Sequence, residues 1–122
     1  MYSNRPSVKE LNVKIKAAKA ALIAQNGVYA NLGKAVGELY ELEIESPNQV
    51  WKLILELLEE INPKDYAGAR PPQRSYEHAT KNQELFAFCW NSQKLRKKMY
   101  IKFALKESLY YYISLHRSKD LL

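Results

Sequence analysis

The sequence predicts an α+β domain in which N-terminal helices pack on a small C-terminal antiparallel sheet. Two observations carry this. Apolar residues recur at three- and four-residue steps through the first half of the chain, and they alternate strictly with polar ones near its end. The length of 122 residues adds the domain count, since a chain of that size closes around one core over residues 1–122.

Ser7 and Glu10 have the spacing of a capping box. Val8, Leu11, Ile15, Ala18 and Leu22 then form a stripe that predicts a helix over 8–25, ended by Gly27. Lys9, Lys14, Lys16 and Lys19 fall mostly off that stripe, as on a solvated face. In "VYANLGKAVGELYELEIES" the apolar spacing argues for a helix while Gly33 and Gly37 weaken it, so a short strand over 28–30 and then a loose helix are expected. "SPNQVWKLILELLEEINP" supplies Ser46 as N-cap, Pro47 at the first helical position and Gln49 to complete a second capping box. Val50, Trp51, Ile54, Leu57, Leu58 and Ile61 make one apolar face, and Pro63 stops the helix. This is the core helix, and Trp51 belongs to its packing surface.

Residues 62–83 contain three prolines, a glycine and no usable period, which reads as a long loop carrying Arg70, Arg74, Tyr76 and His78. "ELFAFCW" follows as a buried aromatic strand in which Cys89 fills core, and "NSQKLRKK" is a basic connection into a closing hairpin. In "MYIKFALK" Met99, Ile101, Phe103 and Leu105 point one way and Tyr100, Lys102, Ala104 and Lys106 the other. In "LYYYISLH" the apolar set is Leu109, Tyr111, Ile113 and Leu115, opposite Tyr110, Tyr112, Ser114 and His116. A two-residue turn at Glu107 and Ser108 would set every apolar residue against a polar one. A three-residue loop over 106–108 is therefore expected, pairing Leu105 with Leu109, Phe103 with Tyr111 and Ile101 with Ile113. The opposite face then pairs Lys102 with Tyr112, Tyr100 with Ser114 and Lys98 with His116, and their side chains converge.

The charge is uneven. Of the net +6, residues 1–61 hold 7 Lys/Arg against 8 Asp/Glu, and residues 62–122 hold 12 against 5. A basic second half points to a polyanionic partner, nucleic acid before membrane, or serves solubility alone. No apolar run approaches the roughly 20 residues of a membrane span, and "MYSNRPSVKE" has no apolar segment of a secretory signal, so a cytoplasmic location without membrane association is expected. One cysteine and two histidines argue against a dedicated zinc site, and no glycine-rich phosphate loop, acidic metal cluster or nucleophile motif is present, so no cofactor is expected.

The converging face has the groups that RNA cleavage through the 2′-hydroxyl needs: a base, a cation for the charged phosphorane and an acid for the departing oxygen. His116, an imidazole, suits the role of acid or base. Lys98 or Lys102 stabilises charge, Tyr100 relays a proton or positions the phosphate, and Tyr110 or Tyr112 stacks on an unpaired base.

The same residues resemble the motility quorum-sensing regulator toxins of the RelE-like ribonuclease superfamily. Those proteins run from helices through an "SxxDFY"-like helix end and an "IW" strand into a "VYLKI" strand and a closing "IVSF" strand, or "ISFH" in a related branch. The counterparts are "NPKDY" from Asn62 to Tyr66, Leu85 and Phe86, "MYIKF" from Met99 to Phe103, and "YISLH" from Tyr112 to His116. The resemblance covers about residues 50–119. It implies a RelE-like fold, a messenger RNA interferase acting without metal on single-stranded mRNA, free or on the ribosome, and a cognate antitoxin protein. By position, Tyr100 falls on the family's functional tyrosine, Lys102 is the lysine two places on, and His116 stands where a basic residue closes the last strand. A family lysine falls on Gly68, which shifts that role to Arg70 or Arg74, and a family glutamine falls on Ala87. The expected site is thus Tyr100, His116, Lys102 and Lys98 for catalysis, with Arg70, Arg74, Arg96, Lys97 and Tyr112 on RNA. Two other readings remain: a non-catalytic RNA- or ribosome-binding protein of this fold, and an interaction protein pairing "ELYELEIESP" with the basic half of another chain.

Overall fold

The computed structural model describes residues 5–44 and 46–118. Its order is α1 (Val8–Ile23), β1 (Gly27–Tyr29), α2 (Leu32–Glu41), α3 (Pro47–Leu58), two 3₁₀ turns (Pro63–Asp65 and His78–Thr80), β2 (Phe86–Ser92), β3 (Lys97–Lys106) and β4 (Leu109–Arg117). Among the described residues three α-helices thus precede most of the strands, and the α+β class stands. The sheet, however, is mixed. Its order is β1-β4-β3-β2, and the N-terminal strand β1 joins β4 in parallel instead of leaving a purely C-terminal antiparallel sheet. Gly27 opens β1 because nothing larger fits there: a Cβ would lie 2.6 Å from the Trp51 ring, which packs across the strand onto Tyr29 at 4.7 Å.

Local chemistry explains the helix bounds. The Ser7 hydroxyl accepts from the Glu10 amide, but the Glu10 carboxylate turns to Arg5 instead of closing the box, and α1 ends at Ile23. Asn31 caps α2 through the Lys34 amide and so holds a helix containing Gly33 and Gly37. Ser46 makes no side-chain cap. The Gln49 amide bonds the Ser46 carbonyl, and Pro47 is the first residue of α3. The loop over 62–83 is less irregular than expected, since Asn62 and Asp65 form a reciprocal capping box and Tyr66 and Arg74 make single bridges to Phe88 and Glu84.

α1 and α3 cover one face of the sheet. Leu11, Ile15, Val50, Ile54, Leu57 and Leu58 meet Phe86, Phe88, Ile101, Phe103, Tyr110 and Leu115 in one core. Glu60, just past α3, accepts from the Trp90 indole at 2.9 Å and the Lys94 amide at 2.9 Å, anchoring the β2–β3 turn. Burial alone would raise its carboxyl, but these bonds and those from Ser92 and Gln93 outweigh it and hold the group below the usual carboxylate range.

The closing hairpin differs from expectation in a way that moves the site. The turn is the two-residue one, with Lys106 opposite Leu109 and both Glu107 and Ser108 at positive φ, 52° and 66°. These are the angles of a type I′ turn, built here without its usual asparagine and glycine. The register mismatch that such a turn creates is corrected inside β4. Phe103 pairs with Tyr112 but Lys102 pairs with Ser114, so Ile113 is an extra residue, a β-bulge. On the turn side of the bulge Tyr110 and Tyr112 face the core. Beyond it Leu115 faces in, and Ser114 and His116 face out.

Tyr110 is fully buried, and its hydroxyl has no hydrogen-bond partner among the described residues. Burial pushes that phenol far above its ordinary range. Tyr110→Phe, which removes only the orphaned oxygen, is expected to stabilise the fold by about 1 kcal/mol, seen as a higher urea midpoint at unchanged slope. A lower midpoint would mean that the hydroxyl is satisfied.

Candidate functional site

Successive strand residues face opposite sides, so the register lays out the sheet face away from α1 and α3 as rows. Ala87, Lys102 and Ser114 form one row, Cys89, Tyr100 and His116 the next, and Asn91 and Lys98 a third. A cleft of about 530 Å³ sits over the first two, lined by Lys34, Ala67, Cys89, Tyr100, Lys102, Ser114, His116 and Ser118.

Two elements wall it. Where β1 ends, α2 takes over beside β4. The Glu38 carboxylate accepts from the Leu115 amide at 3.0 Å and the Tyr112 hydroxyl at 2.6 Å, while Lys34, one turn earlier, donates to the Ser114 hydroxyl at 2.7 Å. On the far edge the Ala67 amide bonds the Ala87 carbonyl at 2.8 Å and brings the loop after the first 3₁₀ turn against β2.

Tyr100 and His116 pair directly across β3 and β4, and their rings stack with centroids 5.0 Å apart and an interplanar angle of 26°. The Lys102 ammonium lies 5.8 Å from the Tyr100 ring centre. His116 Nδ1 is 2.7 Å from the Arg117 carbonyl oxygen, which can only accept, so Nδ1 donates and the neutral ring carries its lone pair on Nε2. Burial, with Cys89 and Glu38 nearby, pushes the Tyr100 phenol above its ordinary range and keeps it a proton donor at neutral pH. The lining contains two amines and no carboxylate. Among the described residues no three His, Cys, Asp or Glu side chains gather as a metal site.

Of the residues expected from sequence, the structure brings Tyr100, Lys102 and His116 together. Lys98 lies one row along, exposed and outside the cleft lining. The pairings differ by two places, one from the two-residue turn and one from the bulge: His116 faces Tyr100 and not Lys98, and Ser114 faces Lys102 and not Tyr100. Tyr112 is overturned as a base-stacking residue, because the two-residue turn rotates it into the core, where it is 1% exposed against Phe103 and Tyr29. Burial and its bond to Glu38 push its phenol up.

Arg70 and Arg74 do not reach the cleft. The Arg70 guanidinium lies over the Tyr66 ring at 5.0 Å and donates to the Pro6 carbonyl, and Arg74 donates to the Asn82 carbonyl at 2.8 Å beside Arg5 and Lys14. Arg96, at φ 57°, and Lys97 are exposed at the β2–β3 turn, outside the lining. A Cβ at Gly68 would meet the Tyr66 hydroxyl at 2.7 Å, so no lysine fits there while Tyr66 stays in place.

Sequence reasoning missed Lys34, whose approach depends on the parallel pairing of β1, a contact without a local signal. It also placed Cys89 in the core. The thiol instead faces the cleft, half-exposed, 3.4 Å from the Ser118 hydroxyl.

Fold and site together define an α+β protein with a cationic cleft in which a phenol and an imidazole lie side by side. The chain matches no family model, no curated protein and no solved structure. No helix among the described residues is long and apolar enough to cross a membrane.

Proposed function

We propose that the chain is an endoribonuclease that cleaves through the 2′-hydroxyl, a messenger RNA interferase of RelE-like fold from a type II toxin–antitoxin system. The observation that carries this reading is the stacked Tyr100–His116 pair in one cleft with the amines of Lys34 and Lys102. The resemblance of residues 50–119 to the motility quorum-sensing regulator toxins supports it, as does the excess of cations in residues 62–122.

In this mechanism the phosphodiester sits over Lys102 and Lys34, which balance the additional negative charge of the phosphorane. His116 Nε2 takes the proton of the 2′-hydroxyl, and the 2′-oxygen bonds to phosphorus. The bond from phosphorus to the 5′-oxygen breaks, and the Tyr100 phenol gives its proton to that oxygen. The imidazolium then returns its proton to the adjacent phenolate. The products are a 2′,3′-cyclic phosphate and a 5′-hydroxyl, and the enzyme is left as it began. Single-stranded mRNA, free or on a ribosome, is the substrate, a cognate antitoxin protein is the partner, and the cytoplasm is the place of action.

The test uses a single-stranded RNA and its fully 2′-deoxy counterpart, each incubated with the protein in the presence of EDTA, and messenger on translating ribosomes in parallel. Fragments ending in cyclic phosphate, from RNA only, are expected. Intact RNA in both settings, or equal cutting of the deoxy strand, overturns the mechanism.

A further inference from the structure

The two-residue turn that sets Tyr112 inward sets its neighbour outward. Tyr111 pairs with Ala104 on one side and Val28 on the other, on the same sheet face as Lys102 and Lys106, which stand two residues either side of Ala104 on β3. Its ring is half-exposed, while Tyr110 and Tyr112 are buried among aromatic rings of the opposite face. Ala104 opposite it is fully covered, so the accessible surface here belongs to Tyr111, Lys102 and Lys106. A partly exposed aromatic ring flanked by two lysines meets both needs of a nucleotide: a flat apolar surface for the base and ammonium groups for the flanking phosphates.

We infer that Tyr111 is the base-stacking platform of this protein, and that a single-stranded RNA lies along β3 with phosphates at Lys102 and Lys106 and one base on the Tyr111 ring. The inference rests on the proposed function and deepens it by giving the substrate a track. Charge favours this occupant over an apolar protein segment, since the patch is flanked by Lys102 and Lys106. The patch also continues directly into the row of Lys102 and Ser114 that floors the cleft. On this track the strand reaches the reacting groups from the turn end of the hairpin, and the base on Tyr111 lies beside the phosphate held at Lys102.

Binding is measured by fluorescence anisotropy in a His116→Ala background, which stops cleavage, with a short labelled single-stranded RNA and a matched abasic strand. Tyr111→Leu keeps apolar volume and removes the aromatic face, and is expected to weaken RNA binding about tenfold or more, whereas Tyr111→Phe stays near the parent. The abasic strand should bind the parent and Tyr111→Leu equally. Denaturation curves on each variant exclude loss of fold as the cause. Unchanged RNA affinity in Tyr111→Leu, or equal weakening on both strands, overturns the platform while leaving the ribonuclease reading intact. Absence of RNA binding by the parent overturns the platform, and only together with intact messenger on translating ribosomes does it overturn the ribonuclease reading as well.

Discussion

Induced in a bacterial host, the intact chain is expected to arrest growth with its messenger RNA in fragments, and His116→Ala at matched levels to relieve both. The effect should be large because, in the proposed mechanism, the substitution removes the group that takes the 2′-hydroxyl proton. Positioned acid–base groups contribute about 10²–10⁴-fold to such reactions. Tyr100→Phe is the sharper variant. It keeps the ring stacked on His116 and deletes only the O–H, so a loss of similar order would assign the effect to proton donation and not to packing. Arg70→Ala and Arg74→Ala serve as controls, because both guanidinium groups are engaged away from the cleft and their loss should leave cleavage within about twofold. Full toxicity in the His116 variant would mean that the histidine is an ordinary strand-end residue.

Phe103→Ala should be the most damaging single change to the fold. The ring is fully buried and packs against Phe86 at 6.1 Å, Phe88 at 6.0 Å and Tyr110 at 5.2 Å, so three other aromatic rings lose their common neighbour at once. Truncating a buried phenylalanine costs about 3–5 kcal/mol, a sum of lost transfer energy and the cavity left behind. Against a total of roughly 5–15 kcal/mol for a domain, that is enough to leave a substantial unfolded fraction. Phe103 also stands opposite the bulge, so the cavity opens where the register of β4 is decided. Chemical denaturation monitored at the tryptophans gives the number. A loss under about 1 kcal/mol would mean that the surrounding rings collapse into the space.

Much of this architecture is legible in the residues. The stripe through Leu11, Ile15, Ala18 and Leu22 and the α3 residues Val50, Ile54, Leu57 and Leu58 lie in the core, because a three-and-four spacing on a helix has one geometric meaning. The alternation along β3 is equally direct: Met99, Ile101 and Phe103 are buried, and Tyr100 and Lys102 line the cleft. What the pattern does not carry is the phase between two strands. In "LYYYISLH" three consecutive tyrosines satisfy either face, so hydropathy cannot locate an inserted residue among them, and a two-residue turn at Glu107 and Ser108 lacks the glycine that would announce it. The contact of β1 with β4 and the arrival of Lys34 share a different cause. Both depend on segments about 80 residues apart in the chain, as the separation of Lys34 and Ser114 illustrates, and no local rule encodes such a meeting.

The single extra residue at Ile113 acts on the hairpin as a dislocation acts on a crystal. It separates two stretches of regular order that are out of step by one place, and each stretch keeps its own pattern without constraint from the other. The turn-side stretch is free to be built for packing, with tyrosines filling the core, while the far stretch turns Ser114 and His116 toward the cleft. Removing that residue would leave the composition of the hairpin nearly intact, yet bring its two halves into a common phase. His116 and Leu115 would exchange sides or Tyr110 and Tyr112 would, so that one position in the chain governs whether a reactive face and a packed core coexist on the same strand.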